Sequence, residues 1–347
     1  MNNQLSQCTI TLNRACNLRC NFCYAKNTGY NVKNSLNFNN IKRIVDLSKE
    51  AGIQYIVLTG GEPTLYNELF DVVKYIKLKG LKPTIATNGI SFANLEFCKK
   101  IIDSGIEYID ISVKGFNSKS YVKTTGIDGY EKCLKAISNL SMLGANFNCS
   151  MVLTSDNIEN FCSGVEDIFF NKAKSVSFTF EIDNESNDIQ GIAYLKEKKL
   201  LVLIDNFFSQ IHKLDEITKG EWWIEYGFPL CMYNERQLKL LKNKLAKPCQ
   251  IIEKSGITFD EKMNLIPCNM FYDVLLGQFD KDFSTFSEFK NYVSSSIYNK
   301  KFNKIVFNTE CLKCRLYNQC GGGCPIYWKH FSVKDLFLYK EECLKIQ

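Results

Sequence analysis

The chain is poor in histidine, with only His212 and His330 among its 347 residues. A zinc site built on imidazole therefore has almost nothing to draw on. Long apolar runs are also missing. None approaches the roughly 20 residues that span a bilayer, which excludes a membrane helix. The first residues, Met1 to Gln7, have neither a basic start nor an apolar core, so no signal peptide is read there and a cytoplasmic protein is expected. Charge of one sign is not concentrated. The formal net charge is +6, and the lysines are interleaved with Glu and Asp, so no basic stripe marks a nucleic-acid partner. What remains is an ordinary soluble composition, 45% hydrophobic and 23% charged. The length accommodates one large domain of about 200–250 residues and a smaller one.

Against that background stand sixteen cysteines. A secreted disulfide scaffold is short and loop-rich, whereas this chain is long and strongly patterned. Clustered cysteines in a cytosolic chain point to metal. Cys16, Cys20 and Cys23 form one cluster, and a second run spans Cys249 to Cys324. Cys8, Cys98, Cys133, Cys149 and Cys162 stand singly and read as small buried hydrophobes.

Strand-like and helix-like segments alternate over the first 220 residues, the pattern of a parallel α/β fold. Strands are expected at Cys8–Leu12, Tyr55–Leu58, Thr84–Ala86, Tyr108–Val113, Asn148–Leu153 and Ser175–Phe180. Helices are expected at Leu36–Ala51, Glu68–Lys79, Phe92–Ser104, Gly129–Leu143, Asn157–Asn171 and Ala193–Lys213. Six β/α units predict a partial, open relative of the eight-unit TIM barrel, with chemistry at the C-terminal ends of the strands. The texture changes near residue 220. An aromatic stretch (Trp222, Trp223, Tyr226, Phe228) reads as packing, Lys239–Lys247 as a basic helical stretch, and the rest as short cysteine-rich segments. Residues 1–220 are thus expected to form the core, and 221–347 a bridging region and a cysteine-rich domain.

The string Cys16-Asn-Leu-Arg-Cys20-Asn-Phe-Cys23-Tyr24 follows the first strand directly. Three thiolates ligate three corners of a cubane cluster and leave its fourth iron without a protein ligand. Zinc would need a fourth ligand nearby, and none follows in the loop. This spacing resembles the signature of the radical S-adenosylmethionine (SAM) superfamily. Thr59-Gly60-Gly61-Glu62-Pro63-Thr64 resembles the family's glycine-rich segment that meets the methionyl amine. There, glycines allow close backbone approach and Glu62 offers charge to an ammonium. Thr87-Asn88-Gly89 and Ser112 resemble polar contacts to the cofactor, or else are ordinary turn residues. The resemblance implies SAM contacts at Phe22, Gly60, Gly61, Glu62, Asn88 and Ser112. Many relatives carry Asp where this chain has Lys114.

The C-terminal array, Cys249, Cys268, Cys311-x2-Cys314-x5-Cys320-x3-Cys324 and Cys343, is similar to the SPASM domain of peptide- and protein-maturing relatives. One departure is Met263, where relatives commonly have Gly. The resemblance implies two auxiliary clusters. Cys249, Cys268 and Cys324 would hold the first, with Cys231 as the candidate fourth ligand, or else with an open iron. Cys311, Cys314, Cys320 and Cys343 would hold the second. Gly321-Gly322-Gly323 lies between two of these ligands.

The implied cofactors are three [4Fe–4S] clusters and SAM. The implied activity is reductive cleavage of SAM to a 5′-deoxyadenosyl radical that takes hydrogen from a substrate. A ribosomally made precursor peptide is the expected substrate, modified by a thioether, a carbon–carbon crosslink or an epimerisation. A flavodoxin- or ferredoxin-type protein is the expected electron donor. The cysteine loop begins at residue 16, so no separate N-terminal peptide-binding domain is expected. Two alternatives remain: a small-molecule substrate such as a sugar or antibiotic intermediate, and a non-catalytic iron–sulfur or zinc protein. No residue declares itself a catalytic base.

Overall fold

The computed structural model describes residues 5–28, 34–181, 189–226, 228–246, 249–305 and 308–344. Ten strands form one sheet: β1 (Gln7–Thr11), β2 (Tyr55–Thr59), β3 (Lys82–Thr87), β4 (Tyr108–Val113), β5 (Phe147–Leu153), β6 (Val176–Phe180), β7 (Trp222–Tyr226), β8 (Gly256–Phe259), β9 (Asn264–Ile266) and β10 (Gly277–Gln278). Their order is β10-β9-β8-β1-β2-β3-β4-β5-β6-β7. All neighbours from β8 through β1 to β7 are parallel, and β8, β9 and β10 are joined antiparallel. The six expected strands are present, and two more parallel strands flank them. The sheet runs through residue 220, since β7 lies beside β6 and β8 beside β1.

The strands alternate with a period of two. Ile56, Leu58, Ile109, Ile111, Cys149, Met151, Val176 and Phe178 are buried against the helices. The intervening residues face inward. The usual barrel interior is filled by branched apolar side chains. Here it carries Thr84, Asp110, Ser112, Asn148, Ser150, Ser177 and Thr179.

The outer layer comprises α1 (Phe38–Glu50), α2 (Leu69–Leu78), α3 (Leu95–Asp103), α4 (Ser118–Thr125), α5 (Tyr130–Met142), α6 (Phe161–Phe170), α7 (Gly191–Lys198), α8 (Leu200–Ser209) and α9 (Ile211–Thr218). Two departures from expectation have local causes. Helix α4 is rich in Ser, Thr and Val, weak helix formers. It forms because Asn117 and Ser120 make a reciprocal capping box and Tyr121 is buried. The single helix expected over Ala193–Lys213 is three, broken where Lys199 turns left-handed (φ 49°) and where Gln210 leaves helical geometry (φ −106°). Each piece then buries its own apolar stripe. The basic stretch from Lys239 is helical only as the end of Glu235–Leu240, and Lys247 lies outside the described residues. Trp222 packs on Phe178 and Phe207, and its Nε1 donates to Asp215 at 2.6 Å, as the packing reading expects.

The C-terminal region docks on β1. Arg14 Nε meets Glu261 Oε2 at 2.8 Å with both side chains almost fully buried, and Thr11 Oγ1 donates to Asn269 Oδ1 at 3.1 Å. Met263 closes the β8–β9 hairpin with φ 63°. The glycine common in relatives is therefore replaced without losing the turn. The left-handed backbone costs about 1–2 kcal/mol. The buried Met side chain offsets this by roughly the same amount.

Among the described residues no helix is long and apolar enough to cross a membrane.

Because removing one partner of a buried ion pair strands the other charge, Glu261→Ala is expected to lower unfolding stability by about 3–5 kcal/mol. Urea unfolding of the full chain measures this. A loss below about 1 kcal/mol would show that Arg14 finds water instead.

Candidate active site

The cysteine loop leaves β1 and is pinned on three sides. The backbone N–H groups of Arg19 and Asn21 donate to Thr125 O (2.9 Å) and Thr124 O (3.0 Å) at the end of α4. Cys23 N donates to Cys20 O at 3.2 Å, and Leu18 N donates to the Cys16 sulfur at 3.4 Å. The third side is the Gly60-Gly61 turn after β2. Gly61 N donates to Asn13 O (2.9 Å) and Glu62 N to Ala15 O (2.7 Å). A Cβ on Gly61 would stand 2.3 Å from Ala15 O, and one on Gly60 would stand 2.7 Å from Asn13 O. The glycines thus let two backbones touch, that of this turn and that of the cysteine loop.

Glu62 is the hub of this corner, only 1% exposed. Its Oε1 accepts from Thr64 N, Thr64 Oγ1 and Thr87 Oγ1, and its Oε2 accepts from Asn88 N. One carboxylate so clamps the turns after β2 and β3. Oε2 keeps room for a further donor, since a carboxylate offers about four lone-pair sites. Asn88 reaches the cysteine loop through Nδ2 to Asn17 Oδ1 at 2.7 Å. Ser112 Oγ accepts from Lys114 Nζ, and that ammonium also lies 5.3 Å from the Phe22 ring centroid.

These groups line one cavity of about 330 Å³. Cys16, Cys20, Cys23, Phe22, Gly60, Gly61, Glu62, Asn88 and Ser112 all border it. So does Lys114, where many relatives carry Asp, and so do Asp110 and Met270, which no motif marks. Burial, with smaller contributions from Glu62, Cys20 and Cys23, pushes the Cys16 thiol up to about 11. Burial also raises Cys20, and the Lys114 charge opposes it. Asp110 is raised by burial, against hydrogen bonds from Ser150 and Asn148 and the charge of Lys114. An alternation such as Tyr108-Ile-Asp-Ile-Ser-Val signals that Asp110 and Ser112 share a face, which is the clue that could have found Asp110.

The C-terminal cysteines fall into two neighbourhoods. The Cys324 and Cys268 thiols are raised by burial first and then by each other's neighbour Cys249, Cys268 to about 12. Cys249, Cys268 and Cys324 therefore stand together, as expected. Cys311 feels Cys320 and Cys314. Cys231 does not join the first set. Burial and then Cys320 and Cys311 raise it to about 12. The chain geometry explains why. Leu230 N donates to the Cys320 sulfur at 3.2 Å, and Pro229 packs where a Cβ on Gly323 would stand, 2.8–2.9 Å away. Cys231 O accepts from Lys340 Nζ at 2.8 Å. Lys340 belongs to the helix Val333–Leu344, which also carries Cys343. The positive φ of Gly321, Gly322 and Gly323 (60°, 91° and 74°) makes this close packing possible. Among the described residues, no three His, Cys, Asp or Glu side chains converge where a single metal ion would sit. His330 is buried and stacks on Tyr194 at 4.4 Å between centroids. Cys8, Cys98, Cys133, Cys149 and Cys162 are buried in the core.

Residues 10–167 match the family model of the radical SAM superfamily. The chain carries a radical SAM domain. A probable GTP 3′,8-cyclase of Thermococcus kodakarensis is 33% identical over 128 residues, 37% of this chain and 41% of that protein. The chain thus spans less than half the length of that relative. A probable GTP 3′,8-cyclase of Sulfolobus acidocaldarius is 27% identical over 291 residues, covering 76% of this chain and 90% of that one. Among solved structures, Streptococcus suis SuiB bound to precursor peptide SuiA superposes with TM-score 0.68 at 18% identity, over 95% of this chain and 74% of that chain. anSMEcpe with bound AdoMet and the Cp18Cys peptide gives 0.67 at 19% identity, over 97% of each chain. The chain therefore shares the fold of these two solved proteins over nearly its whole length, C-terminal cysteine region included.

The donor set of the radical SAM domain suits a thiolate-bound iron–sulfur cluster. Three thiols of one loop border a shared cavity, and burial disfavours Cys16 and Cys20 as bare thiolates unless a metal supplies the countercharge.

Gly61→Ala is expected to push the loop off its seat. Anaerobic reconstitution should then load about four fewer irons per chain than the native protein. Unchanged iron, measured together with native-like circular dichroism, would show that the contact at Ala15 is not needed to shape the loop.

Proposed function

We propose that this protein is a radical SAM enzyme that modifies a ribosomally made peptide. The observation that carries this reading is the likeness in fold over 97% of the chain, cysteine-rich region included, to a protein solved with a peptide. Cys16, Cys20 and Cys23 hold the catalytic [4Fe–4S] cluster, which when bound supplies the electron that cleaves SAM into a hydrogen-abstracting 5′-deoxyadenosyl species. The protein's own residues bind, orient and shield. Glu62 Oε2 takes the methionyl ammonium, Asn88 and Ser112 offer polar contacts, and Gly60 and Gly61 keep the loop in register. Phe22 and Met270 close apolar sides of the cavity and exclude water.

In the C-terminal region, Cys249, Cys268 and Cys324 hold one auxiliary [4Fe–4S] cluster and Cys311, Cys314 and Cys320 hold a second. Cys231 and Cys343 both belong to segments tied to that second set, so the first set keeps three cysteines. A flavodoxin or ferredoxin supplies electrons, and the protein works in the cytoplasm. Residues 1–220 form the radical SAM core and 221–347 the bridging and auxiliary domain, joined by the continuous sheet.

A small-molecule substrate is the second reading, favoured by the names of two sequence relatives, both probable GTP 3′,8-cyclases. One assay separates the two. The reconstituted, dithionite-reduced chain is given SAM with short cysteine-containing peptides encoded beside its gene, or with GTP. The expected outcome is 5′-deoxyadenosine together with a mass change in a peptide. Turnover of GTP instead would overturn the peptide reading, and no 5′-deoxyadenosine under any condition would overturn the enzyme reading.

Iron and sulfide should each approach about twelve per chain for three cubanes. Cys231→Ser is expected to alter the electron paramagnetic resonance signal that Cys320→Ser also alters, and to leave the one removed by Cys268→Ser. The reverse pattern would return Cys231 to the first set.

A further inference from the structure

Two carboxylic acids lie inside the barrel, and neither belongs to the cysteine and glycine motifs. Asp110 is on β4 and borders the cavity. Glu225 is on β7, three strands away. A row of side chains joins them strand by strand. Asn148 on β5 donates through Nδ2 to Asp110 Oδ1 (3.1 Å) and to Ser177 Oγ on β6 (2.8 Å). Glu225 follows on the neighbouring strand, near enough to Ser177 and Asp110 for its ionisation to respond to both. The row is held from both ends. Ser150 Oγ donates to Asp110 Oδ2 at 2.8 Å, and Ser175 Oγ donates to Asn148 Oδ1 at 2.9 Å, fixing which way the amide points. The strand register makes this possible, since Asp110 pairs with Asn148 and Ser150 with Ser177.

We propose that Asp110 and Glu225 hold one proton between them and form the proton-exchange site of the cavity, with Asp110 meeting the bound substrate. A substrate O–H, N–H or S–H gives its proton to an Asp110 oxygen, the bonding electron pair stays on the substrate heteroatom, and the carboxylate becomes the acid. Asp110 is the catalytic residue. Glu225 is a positioning residue that sets the charge Asp110 carries. The assignment rests on the cavity being the reaction chamber, as proposed above.

The electrostatics agree. Burial raises both acids, and the Asp110 charge raises Glu225 further, to about 7, against the lowering influence of Ser177. Two buried carboxylates that feel one another's charge do not both ionise near neutral pH. The other groups facing the pair are few. Lys114, at the end of β4, favours the charged form of Asp110. Tyr108 on β4 has its ionisation pushed up by burial and then by Asp110, and Cys149 on β5 by burial, then Cys133 and then Asp110, so they stay neutral. Thr179 on β6 and Ala86 on β3 line the same cavity and do not titrate.

A group whose proton affinity rises on folding contributes stability below its unfolded pKa and loses it as pH climbs through the folded value. For Glu225 that window runs from about 4.5 to about 7. The thermal midpoint of the native chain should therefore fall between about pH 5 and about pH 8 by more than that of Glu225→Gln.

The deciding measurement is an infrared pH titration of the reconstituted full chain in H2O and D2O. The native protein is expected to keep one protonated carboxylic-acid carbonyl band near neutral pH, shifted by D2O because the cavity admits solvent. Asp110→Asn and Glu225→Gln should each abolish it, since removing either acid lets the other ionise. Where turnover is measured, Glu225→Gln should move the acid limb of the product-formation profile to lower pH, and Asp110→Asn should lower product formation by about 100-fold or more. The absence of the band in the native chain, or its persistence in both variants, would overturn the proposal. The infrared arm needs no substrate, so it can succeed where the peptide reading fails and fail where that reading succeeds.

Discussion

The position of β1 governs the molecule. It is the first strand in sequence yet lies inside the sheet, parallel to β2 on one side and to β8 on the other. The cysteine loop grows from its C-terminal end, so the loop emerges between the two halves of the chain. On one flank the Gly60-Gly61 backbone touches residues 13 to 15. On the other, Arg14 is buried against Glu261, and Thr11 bonds Asn269 next to Cys268. Neither half alone supplies both walls. Burying an ion pair is a poor source of net stability, because desolvation consumes most of the Coulomb gain. Its geometry is nonetheless exacting, and here it fixes how the cysteine-rich region meets the loop.

The second constraint is the period-two pattern of the strands. Parallel sheets covered on both faces usually read as continuous apolar runs. In Tyr108-Ile-Asp-Ile-Ser-Val and Asn148-Cys-Ser-Met the apolar residues alternate with polar ones. The outer positions are sealed by helices, and the inner positions carry hydroxyl, amide and carboxyl groups. Such groups are tolerated inside only when hydrogen-bonded. The row Asp110, Asn148 and Ser177 meets that condition across three adjacent strands. A polar interior held in this way is rigid, because each member orients the next.

Much of this was legible in the sequence. The six strands, their parallel pairing and the convergence of Cys16, Gly60, Glu62, Asn88 and Ser112 on one cavity follow from apolar periodicity, glycine stops and motif order. What was not legible depended on contacts between residues far apart in the chain. Nothing local separates Trp222–Tyr226 from a loop until it is seen beside β6. The breaks at Lys199 and Gln210 fall inside a helical pattern and come from the need to bury three stripes in three directions. Cys231, expected as a fourth ligand beside Cys249, Cys268 and Cys324, stands near Cys320 and Cys311. Its neighbours Pro229 and Leu230 instead seat on Gly323 and Cys320, some 90 residues on.

The thiols share one physical condition. Cys16, Cys20, Cys231, Cys268, Cys311 and Cys324 are all raised by burial. The same is true of the core cysteines Cys8, Cys98, Cys133, Cys149 and Cys162. Burial therefore does not distinguish a ligand from a structural thiol. Their setting does. Cys20 and Cys23 act on Cys16, and Cys249 acts on Cys268 and Cys324, all from loop segments. Cys133 acts on Cys149 too, but that pair is fixed on α5 and β5 in the packed core. Cys98 instead donates its thiol to the carbonyl of Phe92 at 3.0 Å, and its ionisation answers to burial and the backbone. Several thiols that raise one another's proton affinity form a group whose joint ionisation is costly without a cation. Cys133 and Cys149 show part of that cost inside the core, so what separates Cys16, Cys20, Cys23, Cys249, Cys268 and Cys324 is that theirs falls on loops rather than on packed helices and strands.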